Sequence, residues 1–321
     1  MDADFMKVVQ MTEEEAREKL EAIQWPKGMV ICPKCGSVKG GYKLTSKPDT
    51  KNPVRPGLYK CKDCRQKFTV TMGTVFEDSH IPLHKWFIAI YLMNASKKGI
   101  SSHQLHRMLG VTYRTAWFMT HRIRLAMTDG PLAELLTGTV EGDEVYVGGA
   151  EKNKHEYQKT PGTQGRSTKT KTPVAVLVER DGEVRAKKVA NASKETLHAN
   201  MKENVDPSAR IHTDEWTAYQ GLDKTFSLHE VVNHRDGEFA RGDVTTNSAE
   251  SWISLLRRGV YGTFHHVSEK HLDRYVQEFV FRWNHRNIND GERMTTAVAK
   301  SKGKRLMYKD MVKSATKKTD G

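Results

Sequence analysis

Residues 138–149 read GTVEGDEVYVGG, and the side to which their acids point decides the fold. Side chains on a strand alternate between its two faces. That period sets Val140, Gly142, Glu144 and Tyr146 against Glu141, Asp143, Val145 and Val147. Asp143 and Glu144 are therefore predicted on opposite faces, and only one of them can look into a given site. Downstream, TPVAVLVER (172–180) and EVRAKKVA (183–190) flank Asp181 and Gly182, a hairpin signal. SKETLHANMKENV (193–205) predicts a helix capped by Ser193, with Glu195 in its first turn. A short strand then ends at Asp214 and is followed by a helical turn with Trp216 and Tyr219. LHEVVNH (228–234) gives a further strand, and TTNSAESWISLLRR (245–258) a helix.

Three strands in antiparallel succession, then helix, strand, helix, strand and helix, fit a ribonuclease H-like α/β fold. In that fold carboxylates come from the first strand, the end of the fourth strand and a later helix. Asp143, Asp214 and Glu250 hold those places, with 70 residues between the first two and 35 between the last two. In-line phosphodiester cleavage uses two divalent ions about 4 Å apart, one at the attacking oxygen and one at the leaving oxygen. Hard carboxylate oxygens hold such ions, and three carboxylates at one point repel one another without them. Position alone leaves the bland reading open, in which each acid is a solvated surface charge.

The 321 residues suffice for two or more domains. Lys and Arg number 52 against 39 Asp and Glu, a formal charge of +13 that favours a polyanionic partner, nucleic acid foremost. No stretch approaches the roughly 18 apolar residues of a membrane span, and the acidic, helical N-terminus is unlike a signal peptide. A cytoplasmic protein with no membrane partner is expected. Its four cysteines form two pairs, Cys32 and Cys35 in CPKCG and Cys61 and Cys64 in CKDC, separated by 25 residues. Two residues between thiolates let each knuckle reach one ion, and two knuckles complete the tetrahedral four-sulfur shell of zinc. The glycine after Cys35 and the β-like flanks YKLT and KFTV suit a zinc ribbon; buried thiols or a redox dithiol are the alternatives. With every position filled by Cys, the site is structural rather than catalytic.

From residue 83 the apolar period becomes helical, in LHKWFIAIYLMNAS. ISSHQLHRMLGVTYRTAWFMTHRIRLAM (100–127) then reads as a helix-turn-helix: Ser101 or Ser102 caps, a short helix runs to Leu109, Gly110 turns, and Thr112 opens a second helix. Tyr113, Arg114 and Thr115 at its start, with His121, Arg122 and Arg124 further along, are the expected contacts to double-stranded DNA. An ordinary helical hairpin is the alternative. The organisation that follows is an N-terminal helix (1–24), a zinc ribbon (25–78), a helix-turn-helix domain (79–131), a ribonuclease H-like catalytic domain (132–292) and a basic C-terminal tail (293–321).

The stretches CPKC, CKDCRQKFTVTMGTVFEDSHIPLHKWF, VEGDEVYVGG, HTDEWTAY and VNHRDGEFARGDVTTNSAESWISLLRRGVYGTFHHVSEKHLDRYVQEFVFRWNHR occur in one order from about residue 25 to 290. In them the chain resembles the DDE-type transposases of bacterial insertion sequences that carry an N-terminal zinc ribbon. The resemblance implies a ribonuclease H-like core with Asp143 and Asp214 as the first two ligands of Mg2+ or Mn2+ and a third in TNSAES. It implies cutting at the ends of the element, joining of the freed 3′-hydroxyl to target DNA, and a homo-oligomer that holds two ends. Members can use Asn instead of Glu as the third residue, and both Asn247 and Glu250 are present. Glu250 is preferred, because a carboxylate neutralises a cation better than an amide does. The family tends to place a basic residue seven positions later, where Arg257 stands to grip a phosphate. A non-catalytic DNA-binding regulator derived from a transposase, and a ribonuclease H-like nuclease that never joins strands, are the alternatives. His212 reads as structural, while His265 and His266 divide between DNA contact and a bland role. The loop 151–171, with six basic and two acidic residues, suits phosphate gripping, and the tail from Lys300 to Lys318 reads as disordered or DNA-gripping.

Overall fold

The computed structural model of the protein describes residues 3–47, 50–130, 134–149, 155–160 and 167–312. Two compact units divide the chain. One comprises Met1–Ala95, Ser102–Met127 and Asn289–Gly321; the other comprises Ser96–Ser101 and Thr128–Ile288.

The first unit opens with helices α1 (Ala3–Gln10) and α2 (Glu13–Gln24). Thr12 and Glu15 form a reciprocal cap at the start of α2: Thr12 Oγ1 accepts from the Glu15 N–H at 3.3 Å, and the Glu15 carboxylate accepts from the Thr12 N–H at 2.7 Å. Strands β1 (Gly41–Lys43), β2 (Tyr59–Cys61) and β3 (Lys67–Phe68) form an antiparallel ribbon. Trp25, Tyr59 and Phe68 pack beside it with ring centroids 5.0 to 6.1 Å apart, a small aromatic core for a module with few apolar residues. Helix α3 (Leu83–Ala95) follows, then the helix-turn-helix pair α4 (Ser102–Leu109) and α5 (Tyr113–Met127). Thr112 Oγ1 accepts from the Thr115 N–H at 3.2 Å, and Gly110 turns the chain with φ +61°.

The C-terminal residues complete this unit rather than trail from it. Helix α9 (Asp290–Ala299) packs with α1, α2 and α3, where Gln24 Nε2 donates to Val298 O at 2.9 Å and Arg293 Nη1 to Asn94 O at 2.9 Å. Beyond it, Gly303 N–H donates to Gly73 O at 2.7 Å and Lys304 Nζ to Ala126 O at 2.9 Å. Arg305 pairs with Glu77 and Asp78, and α10 (Tyr308–Val312) sets Tyr308 against Phe118. Residues 300–312 are thus not a disordered tail; Lys304 and Arg305 are engaged by a carbonyl and by carboxylates of the same unit. The remainder of the expected tail lies outside the described residues.

The second unit is built on a five-stranded sheet of order β6-β5-β4-β7-β8: β4 (Thr139–Val147), β5 (Thr172–Glu179) and β6 (Val184–Lys188) are antiparallel, and β7 (Arg210–Asp214) and β8 (Leu228–Val232) run parallel to β4. This is the strand order of a ribonuclease H-like fold, reached through α6 (Lys194–Asn204), which Ser193 caps as the sequence predicts. Strand β5 is covered on both sides and so reads as a nearly continuous apolar run. Val145, Val174, Val176 and Val178 meet α7 (Asn247–Gly259) and α8 (Glu269–Asn284); Val140, Ala175 and Leu177 meet α6 and Tyr219 on the other face. The β6 edge is closed by side chains of α8. Asn284 donates to Val184 O at 3.1 Å and accepts from Val184 N–H at 2.8 Å, Gln277 donates to Ala186 O at 2.8 Å, and Asp273 accepts from Lys188 N–H at 3.0 Å. Among the described residues, no helix is long and apolar enough to cross a membrane.

Candidate active site

Gly142 lies opposite Thr213 in the parallel pairing of β4 and β7, so the next residues, Asp143 and Asp214, stand side by side. Asp143 shares its strand face with Glu141 and Val145, the face onto which α7 packs. Helix α7 buries Ala249, Trp252, Ile253 and Leu256 there and leaves Asn247, Glu250 and Arg257 on its exposed side. The result is a cluster of like charges around one half-buried carboxyl. Asp143 is pushed up to about 8, by burial first and then by the charges of Glu144, Asp214 and Glu250, against the opposing pull of the Glu144 N–H at 2.7 Å.

Each neighbour is fixed by its own element. Asp214 Oδ1 accepts from the Trp216 N–H at 3.0 Å, a turn that ends β7. Glu250 Oε1 lies 3.6 Å from His234 Nε2 and 3.5 Å from Thr246 Oγ1. His234 is itself anchored where its N–H donates to Glu215 Oε2 at 3.0 Å. On the opposite face of β4, Glu144 is buried against Tyr219, whose hydroxyl donates to Oε2 at 2.9 Å. Burial, then the charges of Glu144 and Asp143, holds that hydroxyl protonated well above its usual range. His212 is buried, and its Nδ1 is 3.4 Å from Arg180 Nη2; burial, then the Arg180 charge, keeps it below its ordinary value. His265 and His266 are exposed in the turn after α7. Of the basic loop, 150–154 and 161–166 lie outside the described residues.

In the first unit, Cys32 Sγ is 3.8 Å from Cys64 Sγ, and Cys35 Sγ is 3.7 Å from Cys61 Sγ. A tetrahedron with zinc–sulfur bonds of about 2.3 Å has edges of about 3.8 Å, which these two distances match, so the four thiols suit zinc. The knuckles turn on left-handed residues, Gly36 at φ +71° and Arg65 at φ +60°. Among the described residues, this is the one group of three or more candidate ligands whose donor atoms all lie within 4.8 Å of one another. Asp143, Asp214 and Glu250 do not form such a group.

The helix-turn-helix presents less of itself than its sequence suggests. Tyr113 is 44% exposed and stacks on His103 with ring centroids 4.2 Å apart, while Arg114 lies 5.0 Å over the Tyr308 ring. Thr115 bonds to Thr112 at 2.9 Å between hydroxyls. Arg122 and Arg124, expected on a DNA face, are instead 4% and 1% exposed, and His121 is fully buried. Arg122 is held between the rings of Trp86 and Phe118, 5.3 Å from each, with its guanidinium donating to Glu77 O. Only the first turn of α5 is open, because beyond Phe118 the helix turns these basic side chains inward.

Glu141, Tyr219, His234 and His103 were not singled out from the sequence. Glu141 had a signal, the face it shares with Asp143; the other three are brought to their places by chain crossings that periodicity does not encode.

A sequence model described as "ISXO2-like transposase domain" matches residues 135–284, and one described as "Transposase zinc-ribbon domain" matches residues 11–67. A protein described as uncharacterized, in the transposable element ISH50 of Halobacterium salinarum, is 32% identical over 284 residues, covering 85% of this chain and 91% of the relative. The fold and these matches thus define a ribonuclease H-like protein of the DDE class. Within it, the chain belongs to the family of zinc-ribbon, ISXO2-like insertion-sequence transposases.

Proposed function

We propose that this protein is a DNA transposase that binds the ends of its element, cuts strands there and joins the freed 3′-hydroxyl to target DNA. The observation that carries the reading is the placing of Asp143 and Asp214 side by side on the paired strands β4 and β7, with Glu250 on α7 close enough for its charge to raise Asp143. Such a cluster is expensive alone and suits divalent cations. Asp143, Asp214 and Glu250 are the ligands; Mg2+ or Mn2+, when bound, supplies Lewis acidity at the attacking and leaving oxygens. Asn247, at the exposed start of α7, is the rival to Glu250, which is favoured because its charge bears on Asp143. Arg257, exposed two turns along the same helix, grips a phosphate of the strand being cut. Hydrolysis breaks a phosphodiester bond and leaves a 3′-hydroxyl; that oxygen then attacks a target phosphate and displaces a target 3′-oxygen, so one acidic site serves both steps. The zinc ribbon, with Tyr113, Arg114 and Thr115, contacts the element ends, and a homo-oligomer in the cytoplasm holds two of them.

Pre-cut element ends, plasmid target and Mg2+ test this directly. Joined products that vanish in Asp143→Ala and Asp214→Ala support the reading, and Asn247→Ala beside Glu250→Gln decides the third ligand. Cutting without joining identifies a nuclease, and end binding with neither reaction identifies a regulator. Joining that survives loss of Asp143 and Asp214 overturns the site.

A further inference from the structure

We infer that Glu141 is a positioning residue: its buried carboxylate, clamped by Arg180, fixes the start of α7 and so the place of Glu250 relative to Asp143 and Asp214. The inference rests on the reading of those three acids as cation ligands. A helix leaves its first N–H groups without partners, and Thr246, at the cap position of α7, supplies no side-chain acceptor. Glu141 supplies it from another element, with Oε2 accepting from the Ser248 N–H at 2.7 Å and the Ala249 N–H at 3.0 Å. A fully buried carboxylate is costly unless charge and hydrogen bonds compensate it. Here the positive end of the helix dipole and Arg180 do so, the latter through Nη2 at 3.0 Å from Oε1. Arg180 also donates to Asp243 O at 2.9 Å and Thr245 Oγ1 at 3.3 Å, so the same guanidinium holds the segment leading into the helix.

Both oxygens of Glu141 are thereby committed, one to α7 and one to Arg180, which separates it from the acids that face a cation. Its lever is short. Glu141 stands two residues before Asp143 on one strand face, and the amides it grips lie immediately before Glu250. A shift of the helix start moves Glu250 while Asp143 and Asp214 stay on their strands. Groups that orient metal ligands in this way alter metal affinity or activity by about 10–100-fold when replaced.

The full-length, zinc-loaded protein is compared with Glu141→Gln and Glu141→Asp by Mn2+ titration followed by electron paramagnetic resonance, with Asp143→Ala as the blank, and by hydrogen exchange at residues 247–251. Glu141→Gln is expected to keep its zinc and circular dichroism, to exchange faster at the start of α7, and to bind Mn2+ about 10–100-fold more weakly. Glu141→Asp, which keeps the charge one methylene short, is expected to fall between. Unchanged Mn2+ affinity in folded Glu141→Gln overturns the inference, as does a loss that only matches the unfolded fraction. If Glu141→Gln alone does not fold, the double variant Glu141→Gln, Arg180→Met removes both buried charges, and unchanged Mn2+ affinity there overturns the inference equally. Strand joining by the wild type is scored separately: its absence overturns the transposase reading, and the titration still decides Glu141.

Discussion

Tyr219 donates its hydroxyl hydrogen to Glu144 at 2.9 Å, on the face of β4 turned away from Asp143. Two adjacent acids on one strand thus have unlike surroundings: one is held by a phenol inside the sheet–helix layer, the other is crowded by further carboxylates. Tyr219→Phe removes a donor from a buried carboxylate and is expected to cost about 1–3 kcal/mol. Urea unfolding measures it, and an unchanged midpoint with unchanged slope would show that the contact contributes nothing.

Asp143 should make the cation-free protein sensitive to pH in an unusual direction. Its folded pKa of about 8 lies above the ordinary 3.8, so the folded state retains a proton that the unfolded chain has released. Stability contributed by this group is full below about pH 4 and is lost as pH rises from there through about 8, because unfolding over that window releases the proton and rising pH favours the release. Melting temperatures of the zinc-loaded protein without Mg2+ or Mn2+ should fall over that window, and Mg2+ or Asp143→Asn should flatten the slope. A slope that persists in Asp143→Asn assigns it to another group.

Zinc should be stoichiometric and tied to the four thiols. Structural zinc sites of this kind hold their ion with about 10 kcal/mol or more, and that binding is folding free energy. Cys61→Ser is expected to lose the metal and to open residues 25–78 to trypsin. Zinc retained at one per chain in Cys61→Ser, measured with a colorimetric chelator, would refute the four-sulfur assignment.

Arg114 and Arg122 are eight residues apart on one helix and should fail differently. Arg114→Ala is expected to weaken duplex binding and to lower the salt dependence of affinity by about one phosphate contact. Arg122→Met, at a guanidinium enclosed by two aromatic rings, is expected to leave the salt dependence alone and change the melting temperature. Salt titration of both variants, read by fluorescence anisotropy, separates the two; equal salt slopes for Arg114→Ala and wild type would remove Arg114 from the interface.

Much of the second unit was legible because its signals are local. The alternation around Asp143, the Asp181 and Gly182 turn, the Ser193 cap and the apolar stripe of α7 each act within a few residues, and their order is enough to suggest the sheet. The same locality explains the misses. Charge suggested that Arg122 and Arg124 were outside, but both are buried, and Arg122 is enclosed partly by Trp86, far back in the chain. The basic residues near Lys300 read as a loose tail because nothing nearby reveals the pairing of Arg305 with Asp78. Glu141 was visible on the correct face, yet its partners, Arg180 and the amides of α7, come from 39 and 107 residues away.

The row of Asp273, Gln277 and Asn284 along β6 bears on how copies of this chain can come together. An open edge strand invites another strand to add to it, and the homo-oligomer proposed above would otherwise risk growing sheets instead of defined assemblies. With Val184, Ala186 and Lys188 already bonded to amide and carboxylate side chains, that edge offers an incoming backbone little to pair with. The proposed oligomer is then left to form through other surfaces, where contact is limited by shape.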